Sequence, residues 1–227
     1  LYISGKKFIN SIDHLPENLQ KLKLLYCYNF DQTLDKLPKN LSFLELSYCS
    51  SFNNPLTHLS KNLKILKLGN CNQFNKQIIH PHNSLKSLII DNCKRFNKSL
   101  DKLPNSLKIL EITNCCSFNQ YLDDLPSSLT DLNINSLVFN KPLNNLPKNT
   151  KKISINSELF DQTIDNLPKS LKILSIHSNK FNHSIDNLPK RLFRLVIRSK
   201  KFNQSLKNIP KYICLLYTSP SPRDMSA

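Results

Sequence analysis

The sequence predicts a repeat solenoid: a rod of stacked units that share one curved parallel β-sheet of short strands. The return segments are expected to be extended or 3₁₀, with little regular α-helix. Three observations carry this. A phenylalanine recurs every 22 residues from Phe8 through Phe118, then every 21 residues at Phe139, Phe160, Phe181 and Phe202, so ten of the twelve phenylalanines occupy one column. Apolar residues follow at fixed offsets in every unit. Each unit also contains a Leu-x-Leu alternation, as in Leu44 and Leu46, which is the period of a strand with one buried face. A constant period in this range marks units that bury their apolar surface only against their neighbours.

The unit divides into parts with different roles. Four residues after the phenylalanine stands Leu or Ile (Leu34, Leu100, Ile164), and seven after it Leu or Ile in nine units, with Pro81 in the tenth. Proline follows in eight units, as at Pro16, Pro38 and Pro210. It removes a donor and turns the preceding leucine away from helical geometry, so it punctuates the bend into the strand. The second half reads L-x-x-L-x-L-x-x-C, as in Leu63, Leu66, Leu68 and Cys71. Nine full strands plus an N-terminal remnant at Leu1–Ile3 would stack into a sheet on the order of 45 Å long. Residues 1–213 are expected to form this single solenoid, truncated at both ends, since Leu1 falls in mid-repeat and Met225 is the only methionine.

The pattern stops after Ile213. Residues Cys214 to Asp224, CLLYTSPSPRD, resemble one reading frame of a transposon-end adapter used in sequencing libraries, so residues 214–227 are expected to be a non-native, disordered tail.

Composition excludes several functions. With only Gly5 and Gly69, no glycine-rich phosphate loop can form. No apolar run is long enough to span a bilayer, so no membrane role is expected. No nucleophile–base pair or carboxylate dyad stands out, and the expectation is a non-enzymatic protein without cofactor. The formal charge of +16 allows nucleic acid as a partner, although an A/T-rich coding sequence would also raise lysine.

Cys27, Cys49, Cys71, Cys93 and Cys115 form a ladder of period 22 with no C-x-x-C pair, which suits buried strand-end caps rather than a metal cage. Reduced thiols imply an intracellular location, cytoplasm or nucleus. Asn53, Asn75, Asn97, Asn119 and Asn140 suit a ladder that satisfies turn backbone. His80 and His82 lack an identifiable third ligand. Two lysine columns, Lys148, Lys169, Lys190 and Lys211, and Lys64, Lys86, Lys108, Lys151 and Lys172, would run along an edge of the rod. Such stripes could track phosphates, or simply be solvated.

The outward strand positions vary where the core columns do not, so the fold does not dictate them. The expected protein-binding surface is this concave face: Phe43, Glu45, Ile65, Lys67, Ile89, Ile109, Glu111, Asp131, Arg194 and Arg198. Exposed on adjacent rungs, Phe43, Ile65, Ile89 and Ile109 would form either an apolar patch that marks a partner site or scattered surface apolars without a partner.

The second half of each unit resembles a leucine-rich repeat. The first half, with Phe96-Asn97, Leu100, Leu103-Pro104 and Leu107-Lys108 as one instance, resembles the FNIP repeat, a short variant of social amoebae and giant viruses. Departures are local: Ile9, Asp31 and Asp161 replace the asparagine, Ser60 a proline and Thr150 a leucine. The resemblance implies a protein-interaction scaffold and, where an F-box precedes the repeats, the substrate receptor of a ubiquitin ligase.

Overall fold

The computed structural model describes residues 1–80, 82–211, 213 and 215–218. The alternating segments form strands β1 (Tyr2–Ser4), β2 (Lys21–Leu25), β3 (Phe43–Ser47), β4 (Ile65–Gly69), β5 (Ser87–Asp91) and β6 (Ile109–Thr113). They continue as β7 (Asp131–Asn135), β8 (Lys152–Asn156), β9 (Ile173–Ser178), β10 (Arg194–Ser199) and β11 (Leu215–Thr218). All pair in parallel, in sequence order, and no helix occurs among the described residues. The register is the repeat period itself: Leu44 pairs with Leu22 and Leu66, and Leu132 with Leu110 and Ile153.

Alternation places Leu22, Leu24, Leu44, Leu46 and their equivalents in a continuous core. Behind them the phenylalanine rings from Phe8 to Phe202 form an unbroken rail. Successive centroids are 5.8–6.2 Å apart and the planes lie within 16° of parallel. A centroid spacing wider than the strand spacing of about 4.8 Å means that each ring is offset over the last, the arrangement that the ring quadrupole favours.

Two turns close each rung. The proline carbonyl accepts the amide three residues on, as in Leu41 N to Pro38 O and Leu107 N to Pro104 O, and this turn delivers the chain into the strand. At Ser60, where proline is missing, the same bond forms to Leu63 N, so the turn does not depend on the ring. The second turn follows the strand, with Phe52 N donating to Cys49 O and Phe96 N to Cys93 O.

One departure from expectation lies at the C-terminal end. Leu215–Thr218, within the stretch expected to be disordered, pair with β10 as Arg194↔Leu215 through Ile197↔Thr218. The open edge of β10 presents unpaired backbone donors and acceptors, and the backbone of this segment pairs with them. The remainder of the expected tail, Cys214 and residues 219–227, lies outside the described residues.

Candidate partner-binding face

Each strand from β2 to β10 turns three side chains away from the core, giving three outward columns. Strand pairing brings the ten predicted residues onto this one face. Phe43, Ile65, Ile109, Asp131 and Arg194 share the strand-entry column, and Glu45, Lys67, Ile89 and Glu111 the central one. Arg198 stands at the strand-exit side of β10, in register with His177.

Of the two readings of the apolar residues, the structure favours scattered spots over a patch. Phe43, Ile65 and Ile89 are half-buried, and only Ile109 reaches 36 % exposure. The reason is lateral. The Lys23 and Lys67 ammonium groups lie 5.4 and 5.9 Å from the Phe43 ring centroid, one from each neighbouring strand. Lys23 also pairs with Glu45 at 2.9 Å, and Ser47 Oγ donates to Glu45 Oε1 at 3.2 Å. Phe43 is thus the centre of a cation–π and ion-pair cluster that spans β2–β4. In addition, Ser87 interrupts the entry column between Ile65 and Ile109, and it is buried. The apolar residues are therefore separate spots in a polar face rather than one continuous patch.

The structure also brings together groups that the columns alone did not single out. Beyond the exit end of the strands, Tyr26 and Tyr48 stack at 4.8 Å, and Tyr48, Asn70, Asp91, Asn92, Asn114 and Asn135 line an open groove of about 470 Å³. Tyr26, Tyr48, Asn70, Asn92 and Asn114 all have φ between 49° and 59°. Asparagine tolerates this left-handed region better than most residues. The signal present in the sequence was the repeated residue pair ending in the column cysteine, Asn70-Cys71, Asn92-Cys93 and Asn114-Cys115.

The ladders fall where the sequence placed them. Asn53 Oδ1 accepts Asn75 N, and the same bond links Asn75 to Asn97, Asn97 to Asn119 and Asn119 to Asn140, each at 3.0 Å. These side chains replace backbone pairing in the return segments, where no ladder exists to satisfy the amides. Each column thiol donates to a carbonyl of the preceding strand, as in Cys49 Sγ to Leu24 O at 3.6 Å and Cys115 Sγ to Ile90 O at 3.5 Å. Burial first, then the neighbouring Cys27, push the Cys49 thiol up to about 12. The bond to the Cys71 thiol and then burial raise Cys93, and burial followed by Cys93 raises Cys115. These thiols resist forming the thiolate that metal ligation or nucleophilic attack requires.

His80 is buried, with Nδ1 2.8 Å from His82 O and Nε2 without a partner, and burial lowers its pKa. Among the described residues no group of three or more His, Cys, Asp or Glu is placed to hold a metal. The lysines of both edge columns are exposed; Lys148, Lys169 and Lys190, with Arg191 and Asp165, line an open groove of about 710 Å³. No helix is long and apolar enough to cross a membrane among the described residues.

No family model matches the chain, and no curated protein matches it. Among solved structures it is similar to the giant-virus protein CroV588, described as a circular leucine-rich-repeat protein of novel structure. The identity is 25 % and the TM-score 0.49, over 93 % of this chain and 42 % of that one. The chain thus spans less than half the length of that protein.

Proposed function

We propose that this leucine-rich-repeat-type solenoid, of the FNIP kind, is a protein-interaction scaffold that holds a polypeptide partner on its open sheet face. The observation that supports this is the contrast between the two sides of the same strands. Inward positions repeat Leu or Ile from rung to rung and are buried, while outward positions change chemistry at nearly every rung. Packing fixes the first set. Nothing in the rod requires the second, and a large, ordered, chemically varied surface is what partner selection needs. The six described cysteines are free, in keeping with an intracellular compartment that keeps thiols reduced. Substrate recognition within a ubiquitin-ligase receptor is one setting for such a scaffold.

Panning a displayed peptide library on the immobilised protein tests this reading. Recovered peptides that lie over β3–β4 should bind the Phe43→Ser, Ile65→Ser double variant about tenfold or more weakly, because the two side chains are paired neighbours at the entry end of those strands. Urea unfolding of the variant checks that the rod is intact. Peptides whose binding is unchanged both in that variant and in a Glu111→Lys, Asp131→Lys variant would sink the proposal.

A second reading is electrostatic binding of nucleic acid along the lysine edge, motivated by the alignment of Lys148, Lys169 and Lys190 along one groove. It predicts that binding of single-stranded DNA or RNA falls steeply with salt, and that changing these three lysines to Glu abolishes it. Binding that survives those substitutions eliminates this reading.

A further inference from the structure

Charge on the open face is sorted by strand, against the composition of the chain. The outward residues of β5–β7 include three carboxylates, Asp91, Glu111 and Asp131, and no Lys or Arg. Those of β8–β10 include Lys152 and Arg194, and no Asp or Glu. In a protein with 32 Lys and Arg against 16 Asp and Glu, the acidic zone is the unexpected part. Lys86 and Lys108 border it at the strand-entry edge, one residue before β5 and β6.

The acidic zone has geometry as well as sign. Asp91 ends β5, Glu111 is the middle of β6 and Asp131 begins β7, so the three form a diagonal. Each step crosses one strand and two residues, about 8 Å in all. Two of the three are held by their neighbours: Thr113 Oγ1 and Asn114 Nδ2 donate to Asp91 at 2.6 and 2.9 Å, and Thr130 Oγ1 to Asp131 at 2.6 Å. The ion pairs Lys23–Glu45, Lys36–Asp13, His58–Asp35 and His183–Asp161 include no carboxylate of this diagonal. Glu45, by contrast, is matched by Lys23 within the face. An internally paired charge has no need of a partner, whereas the diagonal has donors that orient it and no cation that neutralises it.

We infer that the occupant of the face is an extended polypeptide segment with a basic block over β5–β7 and an acidic block over β8–β10. This rests on the reading of the face as a partner site and specifies that partner's chemistry. In an extended segment alternate side chains face the sheet, about 6.7 Å apart, so charges at every second position fall within reach of the diagonal. Spanning β5 to β10 takes about eight to ten residues. Zoned charge of this kind also selects against partners that carry only one sign.

The test uses two synthetic peptides of about ten residues and identical composition. In one, Lys-Ser alternation is followed by Glu-Ser alternation; in the other, Lys and Glu are interspersed. Fluorescence anisotropy at physiological ionic strength should show the blocked peptide binding about tenfold more tightly than its isomer. The Glu111→Lys, Asp131→Lys variant and, separately, Arg194→Glu should each remove that preference with thermal unfolding unchanged. Equal binding of the two peptides, or a preference that persists in either variant, overturns the inference. Library peptides that lose binding in the Glu111→Lys, Asp131→Lys variant but carry no charge blocks also overturn it, while leaving the interaction face standing. If no library peptide loses binding in the Phe43→Ser, Ile65→Ser variant or in either charge variant, the face reading itself falls.

Discussion

Each buried thiol of the column Cys27 to Cys115 fills the corner at a strand end and donates to a carbonyl of the rung before. That double role makes the protein sensitive to alkali. An unfolded thiol ionises near 9.0, while Cys49 in the rod is pushed up to about 12 by burial and by Cys27. Between those values the unfolded chain holds fewer protons than the folded one. Stability is therefore fully present below pH 9 and falls as pH rises above it, by about 1.4 kcal/mol per pH unit for each such thiol. Urea midpoints measured from pH 7 to 10.5 should be flat and then decline. Cys49→Ala should be less stable at pH 7 yet decline less steeply. In the folded protein at pH 8, alkylation followed by peptide mapping should find exposed Cys116 modified and Cys49, Cys93 and Cys115 protected.

At the scale of the rung, the change from 22 to 21 residues is a change of strand-end turn. Rungs of 22 residues carry the left-handed residue followed by cysteine; rungs of 21 lack that residue and place serine in the cysteine column, at Ser136, Ser157, Ser178 and Ser199. The hydroxyl reaches a different group. Ser136 Oγ donates to Phe118 O at 2.8 Å, and Ser178 and Ser199 donate to Phe160 O and Phe181 O at 2.7 Å. A shorter, stronger donor suits the tighter corner. Asn92, at φ 49°, tests the longer turn: Asn92→Ala should cost about 1–2 kcal/mol by denaturant unfolding, and Asn92→Gly much less. Equal losses would mean that the side-chain bond to Asn70, not the backbone conformation, is what the position supplies. The period shift was visible in the sequence, as was the cysteine column. The turn behind them was not, because a chain with two glycines uses Asn and Tyr where glycine is the usual marker.

The whole molecule behaves as a line of nearest neighbours, since the strand order is the sequence order and strand contacts join only consecutive strands. Removing one complete period, residues 75–96, should therefore leave a shorter folded rod. Phe74 would stack on Phe118 in place of Phe96, and the Asn53 carbonyl would accept Asn97 N in place of Asn75 N. The deletion also discards His80, whose buried Nε2 lacks a partner, which offsets part of the lost burial. Circular dichroism should retain the strand signal with a single cooperative transition. A deletion of half that length should not fold, because it puts every inward side chain of one segment out of register with the next.

Sequence alone determined the architecture of this protein: phenylalanine spacing set the rung length, leucine alternation set the buried face, and proline set the bend. Those signals are strong because each is repeated at every rung and each concerns a residue interacting with its own copies. Which outward residues are accessible was decided only by the tertiary structure. Phe43 is shielded by Lys23 and Lys67, and Ser87 breaks the apolar column, through contacts between non-equivalent side chains on different rungs. The physical reason is that a repeating core enforces its own register, whereas the chemistry of the open face depends on how unlike neighbours settle against one another across strands about 4.8 Å apart.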